Sequence, residues 1–531
     1  MDTTLSFESY DAVIIGAGIG GLVCGTILAK AGLKVHIVEM DTHVGGYVTC
    51  FDRNQFRFEA SIHWLNQCGP EGIVRRTLDY IAPGFPEMKP MTRIKRYKGD
   101  SFDYTLSSDP EDFKNRLLKE FPDEKKGIIK MFKAARKCGL AMVQVGRYSR
   151  CGKNMTIVDK LMYFIKTFSC SLVFMRYFTY SASKGLELFF KNPDIKKIFS
   201  AENKLLSILV PIGWAYLGDY QLLPEGGSQI IPDRLKNVFE KTGGTISFNA
   251  KAEKVLLTGK TADGVTFVQN GERKTIKGKY IIVASDIDTL YQKMLPEGTI
   301  HKKILNQVHN AELFSSAVTV SLGFDCPASE LGFGEEMITL TRDDVTRAEG
   351  CTTGDPNKIA FVILSPSERD KTLAPAGKGS LCIFAPALIE YSNYWKTGRT
   401  PDGEFIRNDE YKKFKKEYAD ILIDRVCKVL SPKLREHIVF CDVATPITYL
   451  RYTGNKDGSI MATKPEWDNI KSGNSQITTP VKNLFLSGHW AALGGGIPIA
   501  LKAAVNCAYK ILEKEHNSEI KNIKKILDDN K

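Results

Sequence analysis

Three glycines at positions 16, 18 and 21, followed eighteen residues later by Glu39, are the first residues in this chain whose types and spacing could do chemistry. Glycines so placed admit a group that side chains would hold off. Gly16 permits a tight turn, Gly18 lets main chain approach a pyrophosphate, and Gly21 lets a helix pack closely on a strand. The neighbouring residues supply the elements. "YDAVIIG" is a short apolar, β-branched run that reads as a buried parallel strand, "GGLVCGTILAKAG" has helical apolar spacing with Gly32 at its end, and "KVHIVE" reads as a second buried strand closed by Glu39. Strand, glycine turn, helix and strand in that order aim free N–H groups and the positive end of a helix dipole at phosphates. Glu39 would accept hydrogen bonds from the adenosine ribose, and an acid there disfavours a 2'-phosphate and hence NADP. The unit predicts a dinucleotide site, with NAD and FAD both open.

The rest of the chain must build a frame around that site. At 531 residues it exceeds what one core usually organises, so two domains or a discontinuous pair are expected, and its 43 % hydrophobic and 25 % charged residues are those of a globular protein. No serine elbow, zinc spacing or Walker loop is present. Twelve cysteines are scattered without metal or dithiol spacing, the first residues lack a secretory pattern, and no apolar run reaches the roughly 18 residues of a membrane span. A cytoplasmic location is therefore expected. The formal net charge of +12 is concentrated: between Arg147 and Lys184 seven basic residues face one acid, Asp159, interleaved with Tyr163, Phe164, Phe168, Phe174, Tyr177, Phe178 and Tyr180. That pattern points to a helix lying peripherally on anionic membrane, and not to nucleic acid; a core helix with solvated lysines is the alternative.

Six residues beyond Glu39 stands a glycine pair, Gly45 and Gly46. The opening "DAVIIGAGIGGLVCGTILAKAGLKVHIVEMDTHVGG" resembles the FAD-binding start of the phytoene desaturase, carotenoid isomerase and retinol saturase group, within the amine-oxidase-like superfamily. "YQLLPEGGSQIIPDRLKN", "KYIIVASDIDTL", "ATPITYLRYTG" and "KNLFLSGHWAALGGGIPIALKAAVNCAYKIL" keep that group's order along most of the chain. The resemblance implies an α/β Rossmann-type FAD-binding domain made of residues 1–95, 220–300 and 436–531. It implies an α+β substrate domain, of mixed sheet and helices, made of 96–219 and 301–435.

FAD contacts are implied at Gly16, Gly18, Gly20, Gly21, Glu39, Met40, Gly45, Gly46, Val255, Gly488, His489, Gly495, Gly496 and Ile497. Val255 would offer its backbone to the adenine, and the glycines at 494–496 would let the flavin ring lie against main chain. His489 stands where many relatives have an acid; it would act as a neutral donor to ribityl or phosphate oxygens, or, protonated, as a partner of the pyrophosphate. His63 in "EASIHWL" falls near the expected flavin entrance and is the one candidate catalytic side chain, with a packed core histidine as the alternative.

A bound flavin would carry the chemistry itself, so an apolar polyene needs few polar residues. The reaction implied is saturation, desaturation or isomerisation at carbon–carbon double bonds of an isoprenoid, carotenoid or retinoid-like lipid. The aromatic stretch 155–215 is a candidate tunnel wall, or alternatively a helical core. Without a second GxGxxG, electrons would be exchanged with a diffusing partner: NAD(P)H, quinone or oxygen. Two other readings share the fold: an amine or amino-acid oxidase, although the arginine that commonly follows its paired glycines is here Tyr47, and a non-catalytic prenyl-lipid binder like the Rab GDP-dissociation inhibitors. The charged end, "LEKEHNSEIKNIKKILDDNK", reads as a solvated or frayed helix.

Overall fold

Two seven-stranded sheets organise the computed structural model, which describes residues 8–401, 403–473 and 476–528. The first sheet runs in the order Thr245–Ser247, Val35–Val38, Ser9–Ile15, Glu272–Val283, Thr261–Gln269 and Ala250–Thr258, with Leu484–Leu486 also pairing with Glu272–Val283. Its five strands from Thr245–Ser247 to Glu272–Val283 and Leu484–Leu486 pair in parallel, and the remaining two form an antiparallel extension. The parallel strands are covered on both faces, which is why "AVII", "VHIV" and "YIIV" are apolar without alternation. The helix Ile19–Lys30 is buried from Ile19 to Ala29 and packs between the helices Ile230–Lys241 and Ile497–Lys514.

The second sheet has the order Ile438–Ala444, Ser316–Phe324, Gly379–Ala387, Phe361–Leu364, Met337–Leu340, Arg93–Lys98 and Asp103–Ser107. It is antiparallel except where Met337–Leu340 runs parallel to Arg93–Lys98. All nine residues of Ser316–Phe324 are buried, with neighbours on both edges and helices or strands over both faces. The chain is thus a mixed α/β protein with three cores: one around the first sheet, one around the second, and a helical one drawn from residues 91–220.

Three expectations need correction. The strand Ile438–Ala444 hydrogen-bonds to Ser316–Phe324 in the second sheet, so the last segment of the first core begins later than 436, at Ala462. Phe189, Phe190, Ile195, Ile198 and Phe199 of the candidate tunnel stretch are buried against one another and their neighbours as core. The charged end is not frayed: Ile523, Ile526 and Leu527 recur on one face of the helix Ile520–Leu527 and are buried against Ile497–Lys514. Asp528 then pairs with Arg150 at 2.8 Å, and Arg150 also pairs with Asp159 at 2.9 Å. Asp159 closes a capping box with Thr156 at the start of the helix Ile157–Phe178. One buried arginine therefore anchors both the end of the described chain and the root of that helix.

Candidate functional site

Three glycine segments, distant in sequence, meet at the N-terminus of the helix Ile19–Lys30. A Cβ on Gly20 would lie 2.3 Å from Gly488 Cα, a separation no side chain tolerates, and Ser487 Oγ donates to the Gly20 carbonyl at 2.9 Å. Gly45 N donates to the Ala17 carbonyl at 3.0 Å, and Gly46 lies across from Gly18. Gly16, at φ +100°, turns the chain out of the first strand, and Gly21 sits against the Gly16 carbonyl.

Gly18 differs from these packed glycines. A Cβ there would meet nothing within 4 Å, so its missing side chain leaves open space in front of the helix. Gly18 is the N-cap, has no side chain to offer, and no acid stands in the first turn. The first-turn N–H groups consequently lack side-chain partners and face a cavity of about 210 Å³.

That cavity is lined by Gly16, Gly18, Gly20, Glu39, Met40, Gly45, Gly46, Gly488 and His489 among the expected residues. Glu39 is half-buried, accepting from Ala17 N at 2.6 Å and Asp41 N at 2.8 Å, and its desolvation raises the pKa above the ordinary carboxylate value. Each carboxylate oxygen retains a second lone pair for a hydroxyl donor. Val255 does not line the cavity. It is buried in the sheet core, and the strand meets the cavity earlier, at Ala250, Lys251 and Ala252, because the register shifts between Ala252 and Lys254.

Gly21, Gly495, Gly496 and Ile497 are likewise absent from the lining. A Cβ on Gly495 would sit 2.1 Å from Met461 Sδ, so this glycine makes room for a methionine. Gly496 caps the helix Ile497–Lys514, Ile497 is core, and Ala500, one turn on, reaches the cavity.

His489 Nε2 is buried without a hydrogen-bond partner, and burial lowers the imidazole pKa to about 4. Burial alone keeps the ring neutral at neutral pH, as a single-proton donor or acceptor. The Tyr47 ring lies 6.2 Å away.

Sequence reasoning did not single out Asp286, Asn455 or Trp490. Asp286 is buried and accepts from Thr289 N at 2.6 Å and Lys456 N at 2.7 Å, joining the end of the strand Glu272–Val283 to the loop at 454–459. Trp490 Nε1 donates to Asn455 Oδ1 at 2.9 Å, and Asn455 Nδ2 donates to Tyr47 Oη at 3.3 Å. The available signal was the small-residue end "VASD" after an apolar strand, where ligands gather outside the carboxyl ends of parallel strands.

His63 lies elsewhere. It lines a separate, water-sized cavity of about 20 Å³ with Glu59, Leu222, Leu223, Leu364 and Arg369. Burial lowers its pKa to about 3, so it is neutral, and its Nε2 has no partner.

The larger cavity suits an extended dinucleotide: helix N–H groups without side-chain partners and no acid in the first turn, a ribose acceptor at Glu39, and an orphaned neutral imidazole toward Tyr47. Comparison with known proteins agrees. The sequence matches the family described as flavin containing amine oxidoreductase over residues 19–512. It is 24 % identical over 554 residues to the all-trans-retinol 13,14-reductase of Danio rerio, covering 96 % of this chain and 87 % of that protein. It is 23 % identical over 530 residues to the chloroplastic prolycopene isomerase of Daucus carota, covering 95 % and 80 %. Among solved structures, an oxidoreductase from Methanosarcina mazei superposes with a TM-score of 0.59 at 15 % identity, covering 94 % of this chain and 99 % of the other. Putrescine oxidase bound to putrescine gives 0.56 at 14 % identity, covering 96 % and 99 %.

The two kinds of glycine predict opposite phenotypes. Gly18→Val should fold with stability within about 1 kcal/mol of the parent, because its side chain meets open space, yet purify with little or no bound dinucleotide. Gly20→Ala should lose about 2–3 kcal/mol in urea denaturation from overpacking against Gly488. Full cofactor occupancy in Gly18→Val, or unchanged stability in Gly20→Ala, would contradict this assignment.

Proposed function

Because this chain belongs to the flavin containing amine oxidoreductase family and is an FAD-dependent oxidoreductase, we propose that it acts on carbon–carbon double bonds of an apolar isoprenoid, such as a carotenoid or retinoid-like lipid. When bound, the flavin supplies hydride transfer at N5. The protein's part is to hold and dry the reactants. Helix N–H groups beside Gly18 bind the pyrophosphate, Glu39 takes the ribose, and neutral His489 offers one hydrogen bond without adding charge.

The observation that carries the substrate reading is the aromatic wall of the cradle. Tyr47 stands where amine-oxidising relatives commonly have arginine. Its hydroxyl is spent on main chain, donating to the Ser459 carbonyl at 2.6 Å, and burial raises its pKa to about 12. The Tyr449 ring is 6.2 Å from it, with its own hydroxyl 2.6 Å from Thr319 Oγ1 and 3.1 Å from the Ala60 carbonyl. Neither tyrosine is poised to move a proton at neutral pH. Tyr47, on the cavity wall and backed by Tyr449, presents ring surface, which suits a polyene and offers an amine no counter-charge. The names of the relatives, retinol 13,14-reductase and prolycopene isomerase, point the same way. A relative equally similar at 24 % identity is named an inactive all-trans-retinol 13,14-reductase, so turnover has to be measured.

The test is anaerobic. Protein that is yellow and bleaches with dithionite, once reduced, should regain flavin absorbance on mixing with all-trans-retinol or a polyene whose conjugation shortens. Isomerisation would instead shift the polyene spectrum while the flavin stays reduced. Oxidised protein reduced by putrescine but inert to every polyene would establish the amine oxidase reading instead.

The reading extends to a lipid surface as the source of substrate. No helix among the described residues is long and apolar enough to cross a membrane. The helix Ile157–Phe178 nevertheless buries only Thr167, Cys170 and Tyr177, while Ile157 is 85 %, Phe164 58 %, Ile165 61 % and Met175 62 % exposed. With Leu161, Phe168 and Leu172 these residues recur every three or four positions, and Lys160, Lys166 and Arg176 flank them. Such a face fits the boundary of an anionic bilayer. Each basic residue there contributes about 1 kcal/mol, so changing all three to Gln should weaken sedimentation with phosphatidylserine vesicles about 100-fold at low salt. Undiminished sedimentation, or equal binding to neutral vesicles, would exclude this contact.

A further inference from the structure

The second sheet carries a group of donors that the flavin reading does not use. Asp325, Cys326 and His437 each offer one ligand atom, and these atoms all lie within 4.8 Å of one another. Two neighbouring strands bring them together. Asp325 and Cys326 follow the last residue of the strand Ser316–Phe324, and His437 precedes the first residue of Ile438–Ala444. Phe324 pairs in register with Ile438, and Asp325 N donates to the His437 carbonyl at 3.2 Å, so the antiparallel ladder itself sets one donor opposite the other.

The backbone at the thiol is held as well. Pro327 follows Cys326 and restricts its backbone. Gly379, in register with Phe324, packs directly against this turn: a Cβ there would lie 2.8 Å from the Cys326 carbonyl oxygen and closer still to Ala328 N. The side chains nevertheless remain within reach of solvent, since Asp325 is 52 % and His437 33 % exposed, and Cys326 is half-buried and in no disulfide.

Charge and donor type select the ligand. Among the described residues His437 is the one ion-pair partner of Asp325, Nδ1 to Oδ1 at 2.8 Å, and the charges that bear on the Cys326 thiol are those of two acids, Asp325 and Glu330. Arg435, two residues before His437, is turned to Asp424 and Asp420. Thiolate, imidazole and carboxylate together suit a borderline-soft divalent ion with four ligands, whereas calcium and magnesium take oxygen alone. Tetrahedral zinc needs its donors roughly 3.3–3.6 Å apart, so these three must close by no more than about 1.5 Å, which side-chain rotation supplies without moving the strands.

We infer that Asp325, Cys326 and His437 form a zinc site at the edge of the second sheet, with water as the fourth ligand. On binding, the metal replaces the thiol proton, which passes to solvent. None of the three residues lines the FAD cradle, so the ion holds the sheet and takes no part in the flavin chemistry. The register between these strands shifts between Gly323 and Phe324, and the ion would fasten the ladder just beyond that irregularity. The edge strand it pins, Ile438–Ala444, continues through the helix Pro446–Thr453 to Gly454 and Asn455 on the cradle wall. The inference does not depend on the isoprenoid reading.

The test uses the full-length, FAD-loaded protein, reduced and freed of metal with a chelator. Titrated with Zn2+ in a calorimeter it should bind one equivalent per chain, and Co2+ in its place should give the visible bands of a four-coordinate thiolate site at the same stoichiometry. Cys326→Ser and His437→Gln should each weaken Zn2+ binding by more than about tenfold, a loss that removal of an outer partner alone can cause. Both should lose the Co2+ bands with the flavin spectrum unchanged. Cys441→Ser, which removes the exposed thiol of the same strand, should bind as the parent does. Should a ligand variant fail to fold, alkylation of the parent decides: Zn2+ should protect the Cys326 peptide from iodoacetamide at least about tenfold, as a metal-bound thiolate requires. No saturable binding at one equivalent, binding unchanged in either ligand variant, or Cys326 alkylated as fast with Zn2+ as without it overturns the site.

Discussion

The approach of Gly20 to Gly488, so close that a methyl group would overlap backbone, is the constraint on which the rest of the structure depends. It places the start of the first helix against the end of the strand Leu484–Leu486, two points separated by nearly the whole chain. The cradle exists only if the first sheet has recruited a strand from the far end of the sequence. Ser487 Oγ on the Gly20 carbonyl and the parallel pairing of Ile281–Val283 with Leu484–Leu486 hold that junction. Close packing of this kind is unforgiving because interiors are filled to crystal-like density.

Polar groups divide in an informative way around this junction. Several groups tie the frame together: Asp286 spans two backbone amides, Arg150 joins two acids, and Trp490 reaches Asn455. Those facing the two cavities are left wanting, at His489 Nε2, His63 Nε2 and Arg369 Nη2. Buried polar atoms normally find partners, and at the wall of the larger cavity His489 Nε2 is one that a bound ligand could satisfy. Both histidines are held neutral by burial, and the site is built from donors and ring faces more than from titrating groups.

Sequence was most readable where sterics leave one residue type. Gly16, Gly18 and Glu39 could be assigned because a turn, an open N-cap and a strand-end acid each impose a specific demand. Backbone contacts leave no such imprint. Val255 was expected at the cavity from the family resemblance, but it is buried in the sheet, and the preceding residues Ala250 to Ala252 line the cavity. Gly495 looked like a ring support, yet its space belongs to Met461, a contact between segments that no local pattern reveals. The charged C-terminal composition concealed Ile523, Ile526 and Leu527, whose helical spacing decides their burial.

Hydrogen–deuterium exchange of the purified protein stripped of cofactor, with and without added FAD, tests the shared cradle most directly. The account predicts that FAD slows exchange together at 16–22, 45–48 and 486–491, at both ends of the chain, while the core of the second sheet is unchanged. Protection confined to the N-terminal segments, with 486–491 exchanging as before, would contradict a single site closed by Gly20 and Gly488.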